Sequence, residues 1–518
     1  MGALLRDHLL TVLIFLPAVG AALVLLFPAS QARAAKVFAL AVSIANFGLS
    51  IPLWTRFDGA EPGFQFVENA RWIPALGISY SLGVDGLSVL LVLLTTLLTP
   101  LSLLFSLSHV EKSVRAFSMA FLLLETGILG SLVARDLALF YVFWEVMLVP
   151  MYFIIGIWGG ARRIYAAMKF FLFTMAGSLL MFLAILWLAA RHRAVTGDWS
   201  FALEDLAGLP IASGTQSILF LAFALAFAIK VPVFPLHTWL PDAHTEAPTA
   251  GSIILAGVLL KLGVYGYLRF GLTLFPESAM RYAPYVGALG IIGIVYGAMV
   301  AFAQKDMKKL VAYSSVSHLG LVVMGIGAFT STALSGAMLQ MINHGLSTGA
   351  LFLLVGVLYE RRHTREMAAY GGVAGIVPVT TAFFLVATFS SIGLPGLNGF
   401  VGEFLTFLGT WDSPFRWWSV VAVSGIILSA VYMLTLVQRV FWNPLVHEEN
   451  KALTDMRPSE LIPAAVLVVL MVWIGVRPND FLAKINPTLE ALRRTTIERT
   501  LAGGARTPHP VAAAETNP

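Results

Sequence analysis

Apolar runs of about twenty residues recur along this chain from one end to the other, each long enough to cross ~30 Å of hydrocarbon as an α-helix. They fall near residues 9–27, 37–54, 87–107, 117–132, 137–158, 166–190, 217–235, 249–275, 285–303, 310–329, 332–359, 376–410, 417–442 and 461–476, about fourteen in all. Backbone polar groups inside lipid must bond within their own segment, and a single run can do so only as a helix. The expected fold is therefore an all-α integral membrane protein. Composition agrees. Of 518 residues, 58% are apolar and 12% charged, against roughly 45–50% and about 25% in a soluble domain. A soluble core cannot absorb that surplus, because surface grows with size and must be wetted. The first run has no clear small-residue cleavage site behind it, so a retained span is expected and not a signal peptide.

The chain has no cysteine, which leaves no thiolate for an iron–sulfur cluster or metal site, no disulfide and no cysteine nucleophile. No Walker-type glycine loop and no G-x-G-x-x-G after a strand supports nucleotide binding. The net charge of +5 sits mainly in short loops, a pattern of membrane topology and not of nucleic-acid contact. Alternate loops differ in lysine and arginine. One set, from Arg33 and Lys36 through Lys112, Arg163, Lys308 and Arg365 to Arg457, holds about fifteen; the other, without the tail, holds about nine. The richer set should face the cytoplasm, with both termini outside. Residues 55–86, mixing Pro62, Gly63, Pro74 and Gly77 with Phe64, Phe66, Trp72 and Tyr80, read as a short interfacial hairpin, and 191–214 as a polar loop. After about residue 477 a weakly amphipathic stretch near 484–500 precedes an Ala/Pro/Gly tail expected to be disordered.

Ionisable residues inside the apolar runs carry the functional signal. Glu145 lies in FYVFWEVMLVPMY, Lys230 in FALAFAIKVPVF, Lys261 in ILAGVLLKLGVYG and Glu403 in LPGLNGFVGEFLTF; Glu125 lies mid-run, and Lys169 nearer an end. A charge at the bilayer centre costs about 2.5–3.5 kcal/mol even on the lenient scale. Lys169 could snorkel to the interface, and Glu125 could bond a neighbouring helix. Buried structural ion pairs would be the plain reading of Glu145, Lys230, Lys261 and Glu403. Two lysines this deep, with so few carboxylates nearby, fit a proton path better. Burial lowers a lysine's proton affinity and a nearby carboxylate raises it, so a Glu145–Lys230 contact that forms and breaks would load and unload a proton. AYSSVSHLG (Ser314, Ser315, Ser317, His318) and LQMINHGLSTG (Gln340, His344 and Thr348 on one helix face) supply polar groups between the charges. Ordinary interhelical bonding accounts for the serines. His318 and His344, near mid-run, suit a relay because histidine titrates near neutrality.

Helix breakers mark the same places. Pro232 and Pro235 follow Lys230, and Gly393, Pro395, Gly396 and Gly399 precede Glu403. Paired interruptions point to an inverted-repeat transporter with sites near the midplane, here with halves of roughly 115–275 and 280–440. HTWLPDAHTEAPT, with His237, Asp242, His244 and Glu246, invites a metal reading. Two prolines and the lack of a secured i, i+4 spacing weigh against it; His237 is placed instead at the mouth of the Lys230 cavity.

FYVFWEVMLVPMYFIIGIWGG, HTWLPDAHTEAPTAGSIILAGVLLKLGVYGYLRF and KDMKKLVAYSSVSHLG resemble the antiporter-like membrane subunits of proton-pumping NADH:quinone oxidoreductase, respiratory complex I, from about residue 80 to 476. The resemblance is greatest to the subunit M (chain 4) group. Subunit L is longer, with a C-terminal lateral helix, and subunits L and N and the sodium/proton antiporter relative usually place lysine at the distal broken helix, where GFVGEF here supplies Glu403. The resemblance implies fourteen helices with two inverted five-helix repeats and two broken helices. It divides the chain into 1–114 (three helices with the hairpin loop), 115–275, 276–442, a last helix in 443–484, and a tail, 485–518. It implies Glu145 tuning the pumping lysine Lys230, Lys261 passing protons onward, His318 and His344 in a hydrophilic axis, Glu403 as terminal site, and Glu125 and His237 as secondary groups. NADH, FMN, iron–sulfur clusters and quinone chemistry would belong to partner subunits, leaving no cofactor and no metal in this chain. Its partners would be membrane-arm subunits including paralogues, lipid, protons and water, in a bacterial cytoplasmic membrane. The rival readings are a cation/proton antiporter subunit, the membrane arm of a hydrogenase or ferredoxin-linked complex, and a structural anchor.

Overall fold

The computed structural model describes residues 7–504. The chain beyond, including the 505–518 part of the tail expected to be disordered, lies outside the described residues. Among the described residues, twelve helices are long and apolar enough to cross a bilayer, and the shorter apolar helices Leu9–Val24 and Pro378–Ser391 accompany them.

In chain order the helices are Leu9–Val24 (α1), Ala32–Thr55 (α2), Val89–Ser106 (α3) and Val114–Val133 (α4). Leu137–Trp158 (α5) turns at Met147, and Arg163–Thr196 (α6) and Leu203–Ala207 (α7) follow. Ser213–Lys230 (α8) ends at a break, after which Trp239–Glu246 (α9) and Thr249–Leu274 (α10) resume. Pro276–Phe302 (α11), Met307–Ala328 (α12) and Ser331–Arg362 (α13) come next. The run expected as one span over 376–410 is two helices, Pro378–Ser391 (α14) and Asn398–Trp411 (α15), followed by Arg416–Val437 (α16), Pro458–Val476 (α17) and Asn479–Gly504 (α18).

Burial separates centre from rim. The windows in α10 and α13 are wholly buried and that of α12 nearly so, whereas α2, α6, α11, α16 and α17 leave most of theirs on the surface. A helix apolar all round and buried all round is a central element. The polar side chains of α10, α12 and α13 therefore meet protein and not lipid.

Hairpin strands β1 (Gln65–Ile73) and β2 (Ile78–Val84) pair antiparallel, with Gln65 opposite Val84 and Ile73 opposite Ile78. Gly77 closes the turn at φ +65, and a Cβ there would strike the Trp199 carbonyl, so the 191–214 loop packs directly on the hairpin. Just past β2, Asp85 forms a buried ion pair with Arg269 of α10, fixing the hairpin to the bundle. The weakly amphipathic stretch near 484–500 lies within α18, which runs from Asn479 as far as Gly504. Ile485 and Leu489 are buried, Lys484 donates to the Trp54 carbonyl at 2.9 Å, and Thr488 donates to the Pro62 carbonyl at 3.0 Å. Tertiary packing on α2 and the hairpin orders a helix whose own sequence is only weakly amphipathic.

Candidate functional site

The first cluster forms where α8 stops. Lys230 is its last residue; the side chain is buried, and its Nζ has no hydrogen-bond partner. The ammonium lies 5.1 Å from the Trp144 ring centroid and 5.7 Å from that of Phe170. Desolvated cation–π contacts of this kind are worth about 2 kcal/mol, so they offset only part of the burial cost. Glu145, next to Trp144 on α5, is half-buried, with Oε1 buried and unpartnered. Glu145 lies within charge range of Lys230, but among the described residues the two form no ion pair.

Beyond the break, the His237 ring stacks on Phe234 at 5.8 Å and meets Tyr296 edge-on at 5.1 Å, with Nδ1 unpartnered. Lys169 pairs with Asp242 of α9 at 2.7 Å. The candidate metal residues part company. Asp242 takes Lys169, Glu246 accepts the Arg162 backbone N–H at 2.9 Å, and His244 stacks on Phe352 at 4.4 Å. Among the described residues, no group of three or more His, Asp or Glu is arranged to hold a metal ion.

The second cluster surrounds Lys261 and Glu403. π-Helical turns at Leu255–Leu259 and Tyr267–Gly271 flank Lys261; such widened turns free backbone carbonyls inside a helix. The Lys261 ammonium turns back to donate to the Ala256 carbonyl and lies 2.8 Å from His344 Nδ1. The rings of His344 (α13) and His318 (α12) are 6.0 Å apart. His318 Nδ1 is 3.4 Å from Glu403 Oε1, and its Nε2 is 3.3 Å from the Ser391 hydroxyl. Gln340 donates to the same Glu403 oxygen at 3.4 Å. A cavity of about 20 Å³ borders Glu403 and His318, room for one water. Lys261, His344, His318 and Glu403 thus lie buried near one another on α10, α13, α12 and α15, as two direct contacts, Lys261–His344 and His318–Glu403, with no hydrogen bond between the two rings. Imidazoles between an ammonium and a carboxylate can accept at one nitrogen and donate at the other, as proton transfer requires.

Glu125 is not brought into this cluster. It sits on α4 against α2, accepting from Asn46 Nδ2 at 2.9 Å, with Oε2 unpartnered. The serines bond backbone: Ser314 and Ser315 donate to the Val311 carbonyl and Ser317 to that of Ile294. Sequence reasoning missed the polar clamp beside Glu403. Asn343 donates to the Asn398 carbonyl at 2.7 Å, and Asn398 donates to that of Asn343 at 3.3 Å, tying α13 to the broken helix. The asparagine in LPGLNGF was the available signal. Also missed was the triad in which Glu460 takes Arg361 at 2.6 Å and His109 at 3.1 Å, pinning α17 to α13 and α3.

Comparison with known proteins bears on this arrangement. Residues 134–429 match the family described as NADH:quinone oxidoreductase/Mrp antiporter, transmembrane region, and 63–134 match NADH-ubiquinone oxidoreductase chain 4, amino terminus. NADH-quinone oxidoreductase subunit M of Rhodobacter capsulatus is 47% identical over 500 residues, covering 94% of this chain and 96% of that one. A chain of respiratory complex I from Thermus thermophilus with bound NADH superposes with a TM-score of 0.85 at 36% identity, over 94% of this chain and 99% of that one. A chain of the Mrp complex from Dietzia superposes at 0.77 with 25% identity, but only 56% of that chain is covered. Identity at this level over nearly the whole length, with both segments of the chain matched, decides the family: the chain belongs to the antiporter-like membrane subunits of NADH:quinone oxidoreductase, in the subunit M or chain 4 branch.

Proposed function

We propose that this chain is a proton-translocating membrane-arm subunit of NADH:quinone oxidoreductase and works through Glu145, Lys230, Lys261, His344, His318 and Glu403. The observation that carries the reading is the buried cluster of Lys261, His344, His318 and Glu403, together with Glu145 and Lys230 in charge range without an ion pair. Closing that pair favours the lysine's proton, and opening it releases the proton towards the cluster. The energy scale is sufficient: moving one charge across 100 mV costs about 2.3 kcal/mol, and a close ion pair at an effective dielectric of 20 is worth about 4 kcal/mol. NADH, FMN, iron–sulfur and quinone chemistry is assigned to partner subunits, in keeping with a chain that has no cysteine. Residues 115–275 and 276–442 are assigned as inverted repeats, on the strength of a helix break in each. The asymmetry of lysine and arginine between loops supports a bacterial cytoplasmic membrane location with both termini outside.

NADH-driven proton uptake by inverted membrane vesicles tests this. Lys230→Ala should nearly abolish uptake while the complex still assembles. Normal protons per NADH in both Glu145→Ala and Glu403→Gln complexes would refute the site assignment. Sodium-dependent transport by the isolated chain would favour an antiporter instead.

A further inference from the structure

One long trough on the bundle has no part in the site described above. It runs between α2 and α17 with α3 and α13 as its floor, and its volume is about 690 Å³. Its lining is aliphatic and aromatic throughout. On α2 the wall is a single stripe, Leu40, Ile44, Phe47, Ile51 and Trp54, at helical spacing. From Leu40 to Trp54 that stripe rises about 21 Å, at ~1.5 Å per residue. Ile44 and Ile51 on one lip, and Ile462 and Val469 on the other, are exposed, so the trough opens sideways where these spans face lipid.

The two ends differ. At one, Trp54 meets Trp473 edge-on at 5.6 Å and Phe481 at 5.1 Å, and the latter two rings are 5.3 Å apart, so the walls close there. At the other end each helix turns polar within one turn of its last lining residue. Lys36 precedes Leu40 on α2, Ser108 follows Leu104 at the end of α3, and Ser459 precedes Ile462 on α17. The two hydroxyls are 3.2 Å apart. Lys36 donates one N–H to the Leu107 carbonyl at 2.9 Å; Glu111 is within charge range but, among the described residues, forms no ion pair with it. Exposed Arg33 lies one turn further out on the same face of α2.

A trough that is apolar along its length, shut at one end and cationic at its mouth matches the polarity of one phospholipid. A partner helix would have to cross the whole ~30 Å of hydrocarbon and would run into the three rings. We propose that the trough seats one acyl chain of an anionic phospholipid from the leaflet at the Lys36 end, its phosphate held by Lys36, Arg33 and the Ser108–Ser459 hydroxyls. In the orientation proposed above that leaflet is the cytoplasmic one, and lipid binding here stands or falls apart from the pumping function. Lipid tails are as apolar as leucine, so the chain gains little by leaving the bilayer. An empty trough would instead forfeit dispersion contact along its floor. Selectivity therefore comes from the head, where each basic residue beside an anionic lipid is worth about fivefold in occupancy.

The test uses the assembled complex in vesicles of phosphatidylglycerol and phosphatidylcholine, with one lipid or the other carrying a diazirine midway along a chain. After illumination, label from phosphatidylglycerol should appear on the floor, at Leu97 of α3 and Ile342 of α13, about fivefold or more above label from phosphatidylcholine. Lys36→Gln, which can still bond the Leu107 carbonyl, should remove that preference. Ala465→Trp, filling the trough from the α17 wall, should remove floor labelling by both lipids while the lips label as before. NADH oxidation checks that each variant complex has assembled. Equal floor labelling by the two lipids, or a preference that survives Lys36→Gln, would overturn the phosphate site. No floor labelling in the parent would mean that a protein segment covers the trough. Floor labelling that survives Ala465→Trp would mean that lipid bathes this face without a seat. Either result overturns the proposal, and should Ala465→Trp fail to assemble, the two-lipid comparison of the parent with Lys36→Gln still decides it.

Discussion

Lys230 and Glu403 each sit beside a break in a membrane helix, but the two breaks hold their charges differently. Lys230 ends the helix before its break, where unsatisfied carbonyls give the helix end a partial negative charge. Glu403 lies in the second turn of the helix after its break, towards the end where free N–H groups give a partial positive charge. The sign of each residue therefore suits the helix end it faces, which explains in part why one break carries lysine and the other glutamate. Their partners differ as well. The Lys230 ammonium lies over two rings with no hydrogen-bond partner among the described residues, and Oε1 of Glu145 is likewise unpartnered. Glu403 is engaged by His318 and Gln340 through one oxygen, while its other oxygen lies against Gly393. One site is poised, the other wired.

The largest expected contrast separates stability from function. Lys230→Met removes an unpaired buried charge, so the complex should resist heat as well as the parent or better, by up to ~1–4 kcal/mol, while losing pumping. Glu403→Ala should cost about 1–3 kcal/mol, because His318 and Gln340 lose their acceptor inside the core. Thermal inactivation of the two purified complexes, run side by side, measures this. A destabilised Lys230→Met would mean that the lysine has a partner after all. A double-mutant cycle sharpens the point: His318 with Glu403 should couple by about 0.5–3 kcal/mol in stability, and Glu145 with Lys230, which form no ion pair, should couple less strongly. Strong coupling in the second pair would close the gap that the comparison depends on.

A smaller effect is expected at Gly393. It sits at φ +74, and a Cβ there would strike Glu403 Oε2. Gly393→Ala should cost about 1–3 kcal/mol and shift pumping with it. Gly48→Ala, on a face of α2 with nothing near, should do neither. Equal behaviour of the two variants in heat inactivation would show that the backbone at the second break is not held against the carboxylate.

The ionisable residues of the site were legible as charges in apolar runs, and both breaks as clusters of proline and glycine. What joins them was not. The Lys261–His344 and His318–Glu403 contacts cross between helices distant in sequence, and period or composition carries no record of such pairing. Arg269 and Asp85 show the limit clearly. One lies near the end of an apolar run and the other in a loop, and only the packing of the hairpin on α10 makes them partners. The helix in the HTWLPDAHTEAPT segment was not legible for a local reason. Pro241 falls in the first turn of α9, where its missing N–H is not needed, so proline did not prevent a helix there. The Lys169–Asp242 pair was not legible either, because Asp242 lies on that helix, distant in sequence.

The smallest predicted effect concerns how the broken α14–α15 helix is anchored at its start. The Asp455 carboxylate, in the loop before α17, accepts the Val379 N–H at 2.7 Å, the Thr380 N–H at 2.9 Å and the Thr380 hydroxyl at 2.6 Å. Burial by itself would raise its proton affinity, but the bonds from Thr380 and its neighbours outweigh burial and hold the carboxyl below its ordinary range. A depressed carboxylate contributes stability that is fully present above its unfolded pKa of ~3.9 and fades as pH falls through the lower folded value. Protection of the Val379 and Thr380 amides from hydrogen exchange, corrected for intrinsic rate, should therefore be flat from neutral pH down to about 5 and drop only under stronger acid. Asp455→Asn should weaken that protection slightly, by well under ~1 kcal/mol because the group is partly solvated, and should remove the acid step. An acid step that survives the substitution would assign the titration to another group and leave the start of α14 held by packing alone.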